Sequence, residues 1–361
     1  MHVGEQHHDA RPERLDPFVP IAGPGRQGQP GHQLCRRRPG GLHCGNPNCT
    51  AGNSIAAADT GLFGDVTSLA LDASGNPVVS YRASSGGLKV LHYGNPNCTA
   101  GNSVSAPDTA LGTTGKHSSL ALDVSGNPVV SYQHDLDLRV MHCNDPNCSG
   151  GDESITSPDT AGRVGDFTSL ALDSSGNPVV SYRSGFGSSG KLKVMHCNDP
   201  NCSGDDESIT VPDNLSSRTS LRLDSSGNPV VSYLVGTDHG VGLRVLHCGD
   251  PTCTIANTIA APDTEGRPDM SLVLDASGNP VVSYHDFPNL DLKVLHCGDP
   301  ACKAPPPVGG IAELPELAGT ALEVESSGVG AGVVGGVVAA VAAGAVALGG
   351  AAWYARRRRS R

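Results

Sequence analysis

The sequence predicts an all-β fold, a β-propeller of about five four-stranded blades, followed by a single transmembrane helix. The octapeptide SGNPVVSY occurs five times, 50 or 51 residues apart, and self-similarity at such a period is typical of propellers or solenoids. Glycine and proline, 47 and 27 of 361 residues, with only 4% aromatics, indicate many tight turns between short strands. Residues 41–302 are therefore expected to form one array of blades.

Each repeat is predicted to contain four short antiparallel strands. In the third copy, residues 169–173 alternate leucine with smaller residues, as in a β-strand, and residues 174–178 form a turn that leads to a second strand over 179–182. Residues 192–197 and 208–211 supply a third and a weaker fourth strand. Four such strands make a propeller blade whose two faces pack on its neighbours. A stacked solenoid is the alternative.

The first turn of each repeat has a regular polar pattern. Asp173, Ser175 and Asn177 stand at alternate positions, like the first half of a calcium-binding loop, but the glycine comes two residues too early and no bidentate acid follows consistently. We expect a turn capped by side chains, with no metal or cofactor. The repeated turn residues are Asp72, Gly75, Asp123, Gly126, Asp173, Gly176, Asp224, Gly227, Asp275 and Gly278.

These motifs resemble those of bacterial extracellular β-propeller repeat proteins, in the company of sialidase Asp-box and NHL-type blades. The resemblance covers residues 41–302 and implies the blade fold. The chain departs from the Asp-box pattern, since Asp173 stands three residues before Gly176 instead of at alternate spacing. Nothing in it matches a sialidase's catalytic arginines and tyrosine, so the resemblance implies no catalytic residue.

Ten of the twelve cysteines fall into five C-x4-C pairs that bracket turns such as NDPN. Facing residues of a hairpin lie within disulfide reach, so we predict local disulfides; zinc would need four ligands and more often uses C-x2-C spacing. The predicted pairs are Cys44 with Cys49, Cys143 with Cys148, Cys197 with Cys202, Cys248 with Cys253, and Cys297 with Cys302. Cys35 and Cys98 are expected to be unpaired, because Tyr93 occupies the partner position of Cys98.

A histidine recurs at the end of every third strand. Since it repeats in all blades, we expect it to pack in the core instead of binding a ligand or sensing pH. The five residues are His92, His142, His196, His247 and His296.

The charge of the repeat region excludes one class of partner. Residues 41–326 hold 32 acidic and 14 basic residues, and such a surface repels phosphate backbones, so we expect no nucleic-acid binding. Cations, basic proteins and neutral sugars remain open as ligands.

The array is expected to begin and end irregularly. Residues 1–40 contain no recognisable repeat or signal peptide, but a one-base shift of codons for residues 27–35 would encode RGNPVISY. We therefore interpret this segment as out of frame or mis-started, and the intact protein as having at least six blades. The last copy lacks a fourth strand after Cys302. Asn53 to Thr60 resembles one, and we expect it to complete the last blade and remove an open sheet edge.

The C-terminal region is predicted to anchor the protein in a membrane. Residues 303–327 form a Pro/Gly-rich stalk, residues 328–355 carry no charge and could span a bilayer, and residues 356–361 are a basic tail. The positive-inside rule places the tail in the cytoplasm and the propeller outside a single-pass cell membrane protein. Cleavage by a sorting enzyme at LPELAGT, residues 314–320, is the alternative.

The main functional expectation is a monomeric cell-surface module for binding, adhesion or structure, without enzymatic activity. The loops between second and third strands, 82–87, 133–137, 183–191, 234–242 and 285–291, contain 6, 5, 9, 9 and 7 residues, and variable loops on a rigid scaffold usually carry function. The partner is expected to be an unknown extracellular protein or glycan. No acid, base and nucleophile stand out from the repeats. An extracellular hydrolase or lyase with its site in the central funnel is the alternative.

Overall fold

The computed structural model describes residues 32–34, 40–43, 50, 54–57, 65–110, 112–187, 190–236, 242–264, 266–286, 289 and 291–303. This part of the chain contains 22 β-strands and no α-helix, which confirms the all-β class. Among the described residues, no helix is long and apolar enough to cross a membrane. The predicted stalk, transmembrane helix and basic tail lie outside the described residues.

Four central sheets each contain four antiparallel strands in chain order, as expected for blades. The first blade comprises β4 (Asp65–Leu71), β5 (Pro77–Arg82), β6 (Leu88–His92) and β7 (Ser103–Asp108). The second comprises β8 (Lys116–Leu122), β9 (Pro128–His134), β10 (Asp137–His142) and β11 (Ser154–Asp159). The third comprises β12 (Asp166–Leu172), β13 (Pro178–Ser184), β14 (Lys191–His196) and β15 (Ser208–Asp213). The fourth comprises β16 (Thr219–Leu223), β17 (Pro229–Val235), β18 (Gly242–His247) and β19 (Thr258–Asp263).

Two three-stranded sheets flank these blades in the sequence. The N-terminal sheet contains β1 (His32–Leu34), β2 (Gly40–His43) and β3 (Ser54–Ala57), and the fifth blade contains β20 (Gly266–Leu274), β21 (Pro280–Asp286) and β22 (Leu292–His296). Our expectation that residues 53–60 complete the last blade is wrong, because β3 pairs with β2. Once β2 supplies an adjacent free edge in the same repeat, the fourth strand joins its sequence neighbour and needs no long-range closure.

The continuous apolar run of the second strand is explained by burial on both faces. Val129 and Val130 are both 0% exposed. Val129 belongs to a core cluster with Val180 of the third blade, and Val130 to one with Val78 of the first. Successive side chains point to opposite faces of a strand, so the hydrophobic core lies between adjacent blades.

The first strands of neighbouring blades lie side by side and are therefore the innermost strands. A serine hydroxyl on each accepts a hydrogen bond from the backbone N–H of a leucine on the next. The four contacts, at 2.9–3.1 Å, join Ser68 to Leu120, Ser119 to Leu170, Ser169 to Leu221 and Ser220 to Leu272. These bonds account for the repeated Ser-Leu of the first strand.

The antiparallel order gives the array two distinct faces. The first-to-second and third-to-fourth turns, which carry the polar motif and the cysteines, form what we call the staple face. The second-to-third loops and the connections between blades form the opposite, loop face. Side chains at the start of a first strand therefore lie at the loop face, where innermost strands of adjacent blades meet.

Candidate functional site

The staple face is built from the residues that repeat most regularly. The Asp72 carboxylate accepts backbone N–H bonds from Ser74 and Asn76, both at 2.8 Å, and lies 3.1 Å from Nε2 of His92. Equivalent pairs at 2.8–3.1 Å are Asp123 with His142, Asp173 with His196, Asp224 with His247, and Asp275 with His296. The expectation that these histidines pack in the core is wrong: four are partly exposed and His296 is exposed, because each lies at the rim of the blade and holds the capped turn to the third strand.

The turn also explains its glycine. Gly75, Gly126, Gly176, Gly227 and Gly278 all have φ between 81° and 87°, a region that glycine enters without steric cost. The carboxylates are engaged by N–H groups, and no group of three or more potential metal ligands occurs among the residues that the structure describes.

Four of the predicted disulfides are present. They join Cys143 to Cys148, Cys197 to Cys202, Cys248 to Cys253, and Cys297 to Cys302, with Cα–Cα distances of 4.9–5.0 Å. Cys98 is a free, buried cysteine, and burial raises the pKa of its thiol to about 11. Cys35, Cys44 and Cys49 lie outside the described residues.

A repeated contact between blades escaped the sequence analysis. Tyr132 Oη and Arg139 Nη1 both donate to Oδ2 of Asp108, the last residue of the preceding blade, at 2.7 Å each. We call this arrangement the interblade clamp. It recurs as Tyr182 and Lys193 on Asp159, Tyr233 and Arg244 on Asp213, and Tyr284 and Lys293 on Asp263. The Pro-Asp that ends each fourth strand was the available signal. Because the clamp repeats, it serves the scaffold.

One position at the loop face carries a different residue in every blade. It directly precedes the Ser/Thr-Ser-Leu or Met-Ser-Leu of the first strand, and its residues are Val66, His117, Phe167, Arg218 and Asp269. Three of these residues meet: the His117 and Phe167 rings are 4.2 Å apart, and the Arg218 guanidinium lies 4.8 Å from the centre of the Phe167 ring.

Two residues of this set have strained backbones. His117 and Phe167 have φ of 54° and 53°, the left-handed region that costs a non-glycine residue about 1–3 kcal/mol, and each lies where the first strand shifts register against the second. Hydroxyls of the next blade hold them there, since Thr168 Oγ1 donates to the His117 carbonyl at 2.6 Å and Thr219 Oγ1 to that of Phe167 at 2.9 Å. Strain of this kind clusters at functional sites.

A buried carboxylate stands beside this strained pair. Asp166 has a side chain only 1% exposed, 3.7 Å from Nε2 of His117. Arg163 binds both of its oxygens, at 2.6 and 3.2 Å, and Gln133 Nε2 donates to Oδ1 at 2.8 Å. The carboxylate is therefore held in one orientation, with a guanidinium on one side and an imidazole on another. We call His117, Phe167, Asp166, Arg163 and Arg218 the loop-face cluster.

The imidazole of the loop-face cluster is neutral at physiological pH. Burial lowers the pKa of His117 to about 4, Asp166 opposes this shift, and the positive charges of Arg218, Lys116 and Arg163 add to it. Its Nε2 is the ring nitrogen that lies 3.7 Å from the Asp166 carboxylate, a distance longer than a hydrogen bond. A neutral imidazole beside a fixed carboxylate has a lone pair that can accept a proton.

The sequence did contain a signal for the loop-face cluster. Alignment of the five repeats shows His117, Phe167 and Arg218 as departures at one column, but their contact depends on blades that lie about 50 residues apart in the chain. All of these residues lie on the face predicted to be functional from its variable loops.

Comparison with known proteins adds the following. No family model and no curated protein matches the chain. Among solved structures, it is similar to a thermostable family-43 glycoside hydrolase (11% identity, 67% of this chain and 95% of that one, TM-score 0.40). It is also similar to a polysaccharide lyase described as an ulvan lyase (13% identity, 75% of this chain and 72% of that one, TM-score 0.48). A third similar structure is an endo-arabinase from Bacteroides thetaiotaomicron (10% identity, 64% of this chain and 92% of that one, TM-score 0.37).

These comparisons correct two expectations. A binding or adhesion module without activity was expected, whereas the similar structures are described as glycoside hydrolases and polysaccharide lyases. They agree with the alternative, a hydrolase or lyase. At these identities and TM-scores the likeness concerns the fold, so the case for an activity has to be made from this chain's own residues.

Proposed function

We propose that the protein is an enzyme that cleaves glycosidic bonds of a polysaccharide, by hydrolysis or by elimination, at the loop-face cluster. One observation carries the proposal: in an otherwise regular repeat, the chain places a neutral imidazole on strained backbone beside a carboxylate that is 1% exposed. Scaffold contacts here recur from blade to blade, and this one does not. The similar structures described as a glycoside hydrolase and a polysaccharide lyase are consistent with the proposal.

The proposed roles follow from the contacts. In hydrolysis His117 takes a proton from the water whose oxygen bonds to the anomeric carbon as the glycosidic C–O bond breaks, and solvent water protonates the leaving oxygen. In elimination His117 takes the proton from a sugar carbon and passes it to the leaving oxygen, as the C–O bond breaks and a C=C bond forms. Asp166, 3.7 Å from Nε2, stabilises the transient positive charge of the ring. Arg163 binds both oxygens of Asp166 and holds the carboxylate in place, and Arg218 supplies positive charge near the reacting group.

The test is turnover of a polysaccharide panel by the full chain. New reducing ends report either reaction, and ultraviolet absorbance of an unsaturated product reports elimination alone. We expect His117→Ala to lower kcat about 100-fold or more, the usual contribution of a general base. His134→Ala is the matched control: it removes another half-buried imidazole of the same face, which contacts Thr114 and Asp135. Absence of cleavage on every polymer, or equal loss in both variants, refutes the proposal.

We also propose that the enzyme acts at the cell surface, anchored through residues 328–355. Four disulfides favour an oxidising compartment, and the uncharged segment followed by arginines favours an anchor. The closer kinship with Asp-box or NHL-type blades is likewise a proposal, supported by the repeated Asp-containing turn. Protease treatment of intact cells tests the location: loss of the repeat domain while the cells stay sealed is expected, and full protection contradicts it.

A further inference from the structure

A groove opens on the loop face between the second and third blades. Its volume is about 320 Å³, within the range of small-ligand sites. One wall is the connection between the two blades, residues 161–163, and the other is formed by residues 184–185, Lys191 and Lys193 of the third blade, with Val211 beside them.

The groove collects positive charge on a strongly acidic protein. Arg163, Lys191 and Lys193 all line it, although the chain as a whole has a net charge of −11. Arg163 and Lys193 each bind a buried aspartate, Asp166 and Asp159, but a guanidinium has five N–H donors and an ammonium three, so both retain donors for a ligand. Lys191 is exposed.

The repeats provide an internal comparison for Lys191. This residue begins the third strand of its blade, two residues before the clamp lysine. The same position is Gly87 in the first blade, Asp137 in the second, Gly242 in the fourth and Asp291 in the fifth. A scaffold role would not require a cation here, because other blades form the same strand with glycine or aspartate. Lys191 is therefore a positive charge that only the third blade carries at this position.

The groove is continuous with the loop-face cluster through Arg163. This residue lines the groove and also holds Asp166, which faces His117 at 3.7 Å. The ring of Phe186, 60% exposed, lies 4.8 Å from the Arg163 guanidinium and covers one of its sides. A chain molecule lying in the groove would thus run toward the imidazole.

We propose that this groove is a subsite for an anionic sugar, so that the substrate is a polysaccharide carrying carboxylate or sulfate groups. This rests on the proposed function only in so far as the bound polymer is also the one that is cleaved. Arginine and lysine recognise both anions by charge-assisted hydrogen bonds. The overall negative charge would repel such a polymer elsewhere, so the groove directs where it binds.

The test measures binding apart from turnover, by calorimetry on the full chain carrying His117→Ala. Three probes of equal length are compared: oligogalacturonate, dextran sulfate oligomers and neutral dextran oligomers. We expect at least one anionic probe to bind at least ten-fold more tightly than neutral dextran. Lys191→Asp, which installs the residue of the second and fifth blades, should weaken that binding about ten-fold, as expected for reversing one exposed charge.

Lys303→Asp is the matched control, because it changes the net charge equally at an exposed site next to the last disulfide and should leave the affinity unchanged. Equal binding of neutral and anionic probes, or equal effects of the two variants, overturns the proposal. Binding of an anionic probe without cleavage of any polymer would support the subsite and refute the proposed enzymatic activity. Cleavage of a neutral polymer without binding of an anionic probe would support the activity and refute the subsite. Whichever anionic probe binds more tightly identifies the anion.

Discussion

Removing the carboxylate of one interblade clamp should destabilise the protein more than the loss of so small a group suggests. Asp108 is 6% exposed and accepts hydrogen bonds from Tyr132, Arg139 and the backbone N–H of Ala110. Burial alone would raise the pKa of Asp108, but these three donors and the Arg139 charge lower it below the usual value. The contact thus favours the ionised carboxylate in the folded state.

The magnitude follows from what Asp108→Ala leaves behind. The Tyr132 hydroxyl is 0% exposed and would lose its acceptor, at a cost of about 1–3 kcal/mol. The Arg139 side chain is 22% exposed, so water partly replaces its partner and the loss is about 1 kcal/mol. We expect the free energy of unfolding to fall by about 3 kcal/mol in total, which corresponds to a fall in Tm of roughly 6–12 °C.

Thermal unfolding followed by circular dichroism measures this effect. Asp152→Ala removes an exposed carboxylate of the next blade and should change the stability by less than about 0.5 kcal/mol. Tyr132→Phe should lower the free energy of unfolding by about 1 kcal/mol. Because Asp108→Ala and Tyr132→Phe remove the same hydrogen bond, the double variant should lose less stability than the sum of the two single variants. A Tm for Asp108→Ala equal to that of Asp152→Ala, or full additivity, would refute the clamp as a stabilising contact.

Two further predictions concern acid and thiol chemistry. The hydrogen bond from His296 and the N–H groups of its turn lower the pKa of Asp275 to about 2. A lowered carboxyl pKa contributes stability that is present above about pH 4 and lost as pH falls toward 2, so the Tm should fall in that window; a constant Tm contradicts this. Since burial raises the pKa of Cys98 to about 11, peptide mapping after alkylation at neutral pH should find Cys98 unmodified in folded protein and modified after denaturation. Rapid labelling of the folded protein would contradict its burial.

Local features were predictable because each lies within one repeat. The turn after Asp173 is specified by a glycine that can take positive φ and by an aspartate that caps N–H groups two and four residues later. The disulfide from Cys197 to Cys202 closes one such turn. These contacts span a few residues, and the pattern of residue types is sufficient to predict them.

Strand pairing at the ends was not predictable in the same way. Residues 53–60 resemble every fourth strand of the array, so their sequence does not choose between neighbouring sheets. The structure pairs Ser54–Ala57 with Gly40–His43. The choice depends on which sheet edge is free and near, which equivalent repeats cannot encode locally.

The repeat by itself determined the blade, its capped turn, its disulfides and the face on which variation is concentrated, because these depend on periodicity and short-range contacts. Only the tertiary structure decided that His117, Asp166 and Arg218 belong together. They come from three successive blades, and their proximity arises from packing innermost strands side by side. The strained backbone at His117 and the burial of Asp166 are likewise products of that packing, since neighbouring blades supply the hydroxyls and hydrogen-bond donors that hold them.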